Sequence, residues 1–134
     1  MKVLVDTSIW SLALRRKDSK EDSLVKELEE LILEFRAQII GPVRQEILSG
    51  LKSRTQFETL KEHLRSFPDL PLSEENFERA AEFFNIARKK GIQGSNTDFL
   101  ICAAAHNYDL SIYTSDKDFI HFQKCLPIKL HIPR

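Results

Sequence analysis

Apolar and polar positions fall along the chain in blocks of two different periods, and the changes of period mark the elements. Lys2 to Val5 is a short apolar, β-branched run closed by Asp6, the pattern of a strand buried on both faces. Asp6-Thr7-Ser8 offers capping groups for a short helix carrying Ile9, Trp10, Leu12 and Ala13. Past a polar stretch over 15–23, Leu24, Leu28, Leu31, Ile32 and Phe35 recur at helical spacing. Gln38 to Ile40 reads as a second short strand, and Gly41-Pro42 opens a helix with Val43, Ile47 and Leu51 on one face.

Residues 55–67 read as another helix, which the prolines of 68–73 prevent from continuing. Ser73 caps the next, with an acidic first turn (Glu74, Glu75), an apolar face of Phe77, Ala80, Ala81 and Phe84, and a stop at Gly91 after Arg88-Lys89-Lys90. Phe77, Phe83 and Phe84 read mainly as core, although Phe83 falls off that stripe, where a partner could meet it. Phe99 to Tyr108 is apolar nearly all round, so it predicts a central helix packed against a sheet. Ser111 to Thr114 is a third strand, 116–122 a short helix, and Pro127 to Ile132 a last strand whose alternation places it at an edge. Short apolar strands separated by helices predict an α/β fold, a parallel twisted sheet of about four to five strands with helices on both faces. With 134 residues and no repeat, linker or low-complexity tract, the expectation is a single domain over 1–134.

Composition narrows what such a domain does. Twenty basic residues cancel twenty acidic ones, which excludes binding nucleic acid through a global positive field. Local patches remain: Arg15-Arg16-Lys17, Lys52 with Arg54, Arg88 to Lys90, and Lys117 between two acids. Cys102 and Cys125 lie far apart, and His63, His106, His121 and His131 share no chelating spacing, which argues against a disulfide framework or a zinc site. A reducing cytoplasm suits that usage, and the opening MKVLVD is too short an apolar run for a signal peptide or a membrane span.

In open parallel sheets ligands bind beyond the carboxyl ends of the strands. Asp6 follows the first strand, Asp116 follows the third, Glu46 lies about a helical turn past the second, and Asp98 opens the buried helix. Taken singly, each acid has a plain alternative. Asp6 and Asp116 serve equally well as helix caps, Asp98 suits a helix dipole, and Glu46 is more simply read as a surface partner of Arg44 or Lys52. Together they need a cation, because like charges ~4 Å apart repel by about 4 kcal/mol per pair at an effective dielectric of about 20. All-oxygen ligation selects a hard divalent ion, Mg²⁺ or Mn²⁺, and metal-assisted hydrolysis of a phosphodiester is the reaction class that follows.

Three segments carry a family resemblance: VLVDTSIW at 3–10, PVRQEILSGL at 42–51 and NTDFLICAAAHNYDLSIYTSDKDF at 96–119. In them the chain resembles the PIN-domain ribonucleases, and within those the VapC toxins of toxin–antitoxin pairs. The resemblance implies that Asp6, Glu46, Asp98 and Asp116 are the catalytic quartet, with Asp6, Asp98 and Asp116 holding the metal. It also implies that Ser8, Thr114 and Asp118 support those ligands or orient substrate. It further implies an endoribonuclease acting on structured RNA such as tRNA or rRNA, a homodimer, and inhibition by a VapB-type antitoxin. Two positions depart from the pattern: Asp109 stands where relatives commonly have Gly, and Phe99 where a small residue is usual. Trp10 reads equally as core or as a partner anchor. The competing readings are a PIN fold that binds RNA or protein without cleaving, and a receiver-like signalling domain, which the Gly41-Pro42 pair after the middle strand disfavours.

Overall fold

A computed structural model describes residues 1–15 and 22–134, so Arg16 and Lys17 of the first basic patch lie outside the described residues. The elements run β1 (Val3–Val5), α1 (Thr7–Arg15), α2 (Asp22–Leu33), β2 (Ala37–Gln38), α3 (Gly41–Leu48), α4 (Arg54–Leu64), α5 (Glu74–Lys89), α6 (Asn96–Asn107), β3 (Ser111–Tyr113), α7 (Asp118–Gln123) and β4 (Lys129–Leu130). The strands form one sheet in the order β2-β1-β3-β4, with every pair parallel. The expected α/β parallel sheet is therefore present, with the last strand at an edge.

Register explains why this sheet gathers a site at one end. Leu4 lies beside Gln38 on one side and Ile112 on the other, and Ile112 in turn beside Leu130, so all the strands finish along one line. Successive strand residues point to opposite faces, and all of Val3, Leu4 and Val5 are buried, so both faces of β1 are covered. The backbone N–H of Asp6 donates to the Tyr113 carbonyl at 2.9 Å, which keeps the ends of β1 and β3 together after the ladder stops. Helix α6 supplies the centre of the core, with every residue from Phe99 to Ala105 buried.

Three expectations need correcting. Phe35 does not continue the apolar face of α2: it lies beyond the helix end in the left-handed region (φ 58°) and is 85% exposed. On α5 the buried stripe is Asn76, Ala80, Phe83 and Ala87, so Phe83 is core at 2% exposed while Phe77 is 54% exposed. The face is set by α6, which packs along α5, and Phe83 meets the His106 ring edge to face with 5.9 Å between centroids. Strand β2 ends at Gln38, and Ile39 instead forms an isolated bridge with Asp69.

Other features agree with the sequence. Trp10 is buried with its ring edge-on to Phe67 at 5.3 Å, which makes it core. Asp109 adopts the left-handed conformation (φ 57°) that its alignment against Gly demands, and its carboxylate takes Lys129 Nζ at 2.7 Å. Phe99 is accommodated by Gly94, where an added Cβ would come within 3.0 Å of its ring. No described helix is long and apolar enough to cross a membrane.

Candidate active site at the carboxyl edge of the sheet

Asp6 sits at the end of β1, 4% exposed, and its position is fixed by donors from two elements. Ser8 Oγ and Thr114 Oγ1 each donate to its Oδ2 at 2.8 Å, and the Ser8 N–H points to the same oxygen at 3.4 Å. The two hydroxyls lie 3.3 Å apart, and Ser8 Oγ also accepts the Ser115 N–H at 3.0 Å, so α1 and the loop after β3 are stitched together through Asp6.

Asp116 hangs from the same network. Its N–H donates to Thr114 Oγ1 at 2.9 Å, and its Oδ1 accepts the Asp118 N–H at 2.9 Å. Asp116 thus does act as a local cap, and Asp118 enters through its backbone; its exposed side chain has no hydrogen-bond or ion-pair partner among the described residues. Asp98 is the third residue of α6, not its opening one: Ser95 is the N-cap, its Oγ accepting the Asp98 N–H at 3.1 Å while Asp98 Oδ2 accepts the Ser95 N–H at 3.0 Å. Burial pushes the Asp98 carboxyl above the ordinary aspartate range. The Ser95 hydrogen bonds oppose that shift, and the negative charges of Asp6 and Asp116 add to it.

Glu46 comes from α3 and is exposed, and its Oε1 accepts the Thr7 hydroxyl at 2.7 Å. It does not pair with Arg44, whose guanidinium is engaged by Asp69 at 2.9 Å and by the Leu64 and Phe67 carbonyls. Thr7 had no role in the sequence reading. Its place directly after Asp6 was visible, but the hydroxyl's partner lies 39 residues away and only the packing of α1 on α3 reveals it.

The four carboxylates share a pattern. Each has one oxygen tied to a protein donor, Asp6 Oδ2, Glu46 Oε1, Asp98 Oδ2 and Asp116 Oδ1, and one oxygen with no protein donor among the described residues. None of the four free oxygens is among the fully buried side-chain atoms that lack a partner, and no Lys, Arg or His forms an ion pair with any of these acids among the described residues. This donor set fits a hard cation that keeps part of its water shell. Among the described residues no three His, Cys, Asp or Glu side chains are grouped as a ready-made metal site.

A parallel α/β sheet whose carboxyl edge presents oriented carboxylates with no cationic partner among the described residues is an acidic sheet-edge fold. The sequence profile described as PIN domain matches residues 3–124, a span that includes every candidate site residue, and the chain belongs to that family. In structure it is similar to FitAcB from Neisseria gonorrhoeae, with 23% identity, 98% of this chain and 97% of that chain covered, and a TM-score of 0.77. It is similar also to VapBC2 from Rickettsia felis bound to a DNA fragment from their promoter, with 22% identity, 98% of each chain covered and a TM-score of 0.75. VapBC-1 from nontypeable Haemophilus influenzae is 15% identical over 98% of this chain and 97% of that chain, with a TM-score of 0.75. No curated protein matches the chain in sequence.

Proposed function

We propose that the protein is a Mg²⁺- or Mn²⁺-dependent endoribonuclease, the toxin half of a VapBC-type pair, that hydrolyses phosphodiester bonds of structured cellular RNA such as tRNA or rRNA in the cytoplasm. The observation that carries this reading is the set of four carboxylates, each with one anchored and one free oxygen, at one edge of a PIN-family sheet. In this reading one nuclease domain spans 1–134, and Asp6, Asp98 and Asp116 hold the ion. When bound, the ion supplies charge neutralisation and Lewis acidity at the phosphodiester. Ser8 and Thr114 keep the buried Asp6 from rotating, and Asp118 holds Asp116 through its N–H. Glu46, the most exposed of the four, has its free Oε2 available to accept a proton from the attacking water.

The partners follow from relatives and from surfaces. Two of the similar structures are named as VapBC complexes, which supports an antitoxin partner for this chain. An apolar cavity of about 460 Å³ between α3, α5 and α6, with the exposed Phe77 and half-buried Phe84 and Pro42 in its lining, supports a homodimer.

The test is incubation of partner-free protein with total cellular RNA in Mg²⁺ or Mn²⁺, beside an EDTA control and Asp98→Asn. Discrete fragments that need the metal and vanish in the variant are the expected result. Equal inactivity of wild type and variant across several RNA classes would replace this reading with a PIN fold that binds without cleaving.

A further inference from the structure

We infer that Thr7 is a positioning residue for Glu46, holding this fourth carboxylate at the metal edge by a neutral hydroxyl; the inference rests on the nuclease reading of the same site.

Glu46 differs from the other acids in how it is held. Asp6 is buried, Asp98 is fixed by its reciprocal capping bonds with Ser95, and Asp116 is bound within its own loop. Glu46 is exposed on a short helix, has a long side chain with several rotamers, and has no ion-pair partner among the described residues. An unrestrained exposed glutamate spends most of its time in solvent-directed rotamers, and ordering it costs up to about 2 kcal/mol of side-chain entropy. The Thr7 hydroxyl, donating to Oε1 at 2.7 Å, is the one hydrogen bond to the Glu46 side chain among the described residues.

The chemistry of the donor matters as much as its position. A lysine or arginine in this place would cancel the charge that attracts a divalent ion and would depress the basicity of the carboxylate. A hydroxyl spends one lone pair of Oε1 and leaves the full negative charge and Oε2 free. Because Thr7 follows Asp6 directly at the start of α1, the segment that fixes the most buried carboxylate also fixes the most exposed one. The spacing between the acids from β1 and α3 is thereby set by two adjacent residues.

The experiment compares wild type, Thr7→Val, Thr7→Ser, Glu46→Ala and the Thr7→Val/Glu46→Ala double variant. Mn²⁺ affinity is measured by calorimetry and RNA cleavage under single-turnover conditions. Thr7→Val keeps the shape and loses the donor; with the Glu46 charge no longer held beside the ion that Asp6, Asp98 and Asp116 would bind, it should weaken Mn²⁺ binding and slow cleavage by about 10-fold, the scale on which residues supporting a metal site act. Thr7→Ser should restore both to near wild type, and adding Thr7→Val to Glu46→Ala should change neither further. Should Thr7→Val not fold, Thr7→Ala against Thr7→Ser makes the same comparison. Wild-type Mn²⁺ affinity in Thr7→Val, an effect of Thr7→Val that persists in full without Glu46, or no Mn²⁺ binding by wild type would each overturn the inference. If wild type binds Mn²⁺ but cleaves no RNA, a loss of affinity in Thr7→Val that Ser restores keeps the positioning role while the nuclease reading fails.

Discussion

Thr114 joins the two strand-end acids through a single atom, its Oγ1, which donates to Asp6 Oδ2 at 2.8 Å and accepts the Asp116 N–H at 2.9 Å. A threonine at the end of β3 therefore fixes the gap between carboxylates that are 110 positions apart in a chain of 134 residues, Asp6 and Asp116.

Replacing Thr114 by Val keeps the β-branched shape and removes both interactions. The buried Asp6 oxygen then keeps only Ser8 as hydroxyl donor, so a loss of about 1–3 kcal/mol is expected. Urea denaturation checks this through a lower midpoint at unchanged slope. Thr114→Ser should recover most of the loss, because the hydroxyl returns.

The α5 helix offers a sharper contrast. Phe83→Ala should cost about 3–5 kcal/mol, since the ring is buried against His106, whereas Phe77→Ala should change monomer stability by about 0.5 kcal/mol or less. Chemical denaturation of the two variants side by side tests which stripe faces the core, provided it is done at a concentration where Phe77 contributes no contact between copies.

That contrast shows where the sequence was legible. Strand ends were legible because a β-branched run closed by Asp leaves few alternatives, and Asp6 and Asp116 were placed accordingly. The apolar stripe of α5 was misread because Phe77, Ala80, Ala81 and Phe84 and the observed set of Ala80, Phe83 and Ala87 are both helical faces, and they are rotated from one another by a fraction of a turn. Only the partner helix α6 decides between them. Asp98 was assigned to the right turn but the wrong cap position, since Ser95 and Asp98 form a reciprocal box that begins three residues earlier. Thr7 was missed for a different reason: nothing local marks a hydroxyl whose acceptor arrives from another helix.

The carboxyl-terminal residues form a second charged cluster, away from the candidate site in function. Glu27, only 3% exposed, takes His131 Nε2 at 2.6 Å on Oε2, and Arg134 Nε lies 2.8 Å from Oε1 as an ion pair. Arg134 also forks onto Glu34 at 2.7 and 3.0 Å, and Arg36 meets Glu34 at 2.9 Å. Those guanidinium hydrogen bonds, Arg134 first and Arg36 second, hold the Glu34 carboxyl down to about 2. A lowered folded-state value means that the contribution is present above the ordinary carboxylate range near 4.5 and is lost as pH falls toward about 2. Because Glu34 is solvent-exposed, the effect should also fade with salt. Protection of the amides in 129–134, taken relative to their intrinsic exchange rate at each pH, should fall between pH 4.5 and pH 2 in wild type, and much less in Glu34→Gln. An equal fall in both would mean that the acid sensitivity of this end does not come from Glu34.

Asp98 presents the opposite sign. Its carboxyl is raised in the folded state by burial, with Asp6 and Asp116 adding to the shift, so its contribution is full below the unfolded value of 3.8 and is lost as pH rises through the folded value. A negative charge on Asp98 therefore works against the metal-free fold. Asp98→Asn keeps an oxygen for the Ser95 N–H and removes the charge, so the metal-free variant should melt above wild type at pH 7, with the difference shrinking as the pH is lowered toward 4. Added Mg²⁺ should reverse the order. An ion at about 100 times its dissociation constant stabilises wild type by about 2.7 kcal/mol, while the variant, short of one ligand charge, should gain much less. The same substitution should lower RNA cleavage by about 10²-fold or more, the scale at which loss of one preorganised electrostatic contact acts on a rate. Thermal melts of both proteins with EDTA and with Mg²⁺, at several pH values, separate the two contributions. A variant that melts below wild type in EDTA would mean that the Asp98 carboxylate stabilises the fold through Ser95 more than its neighbours' charges oppose it.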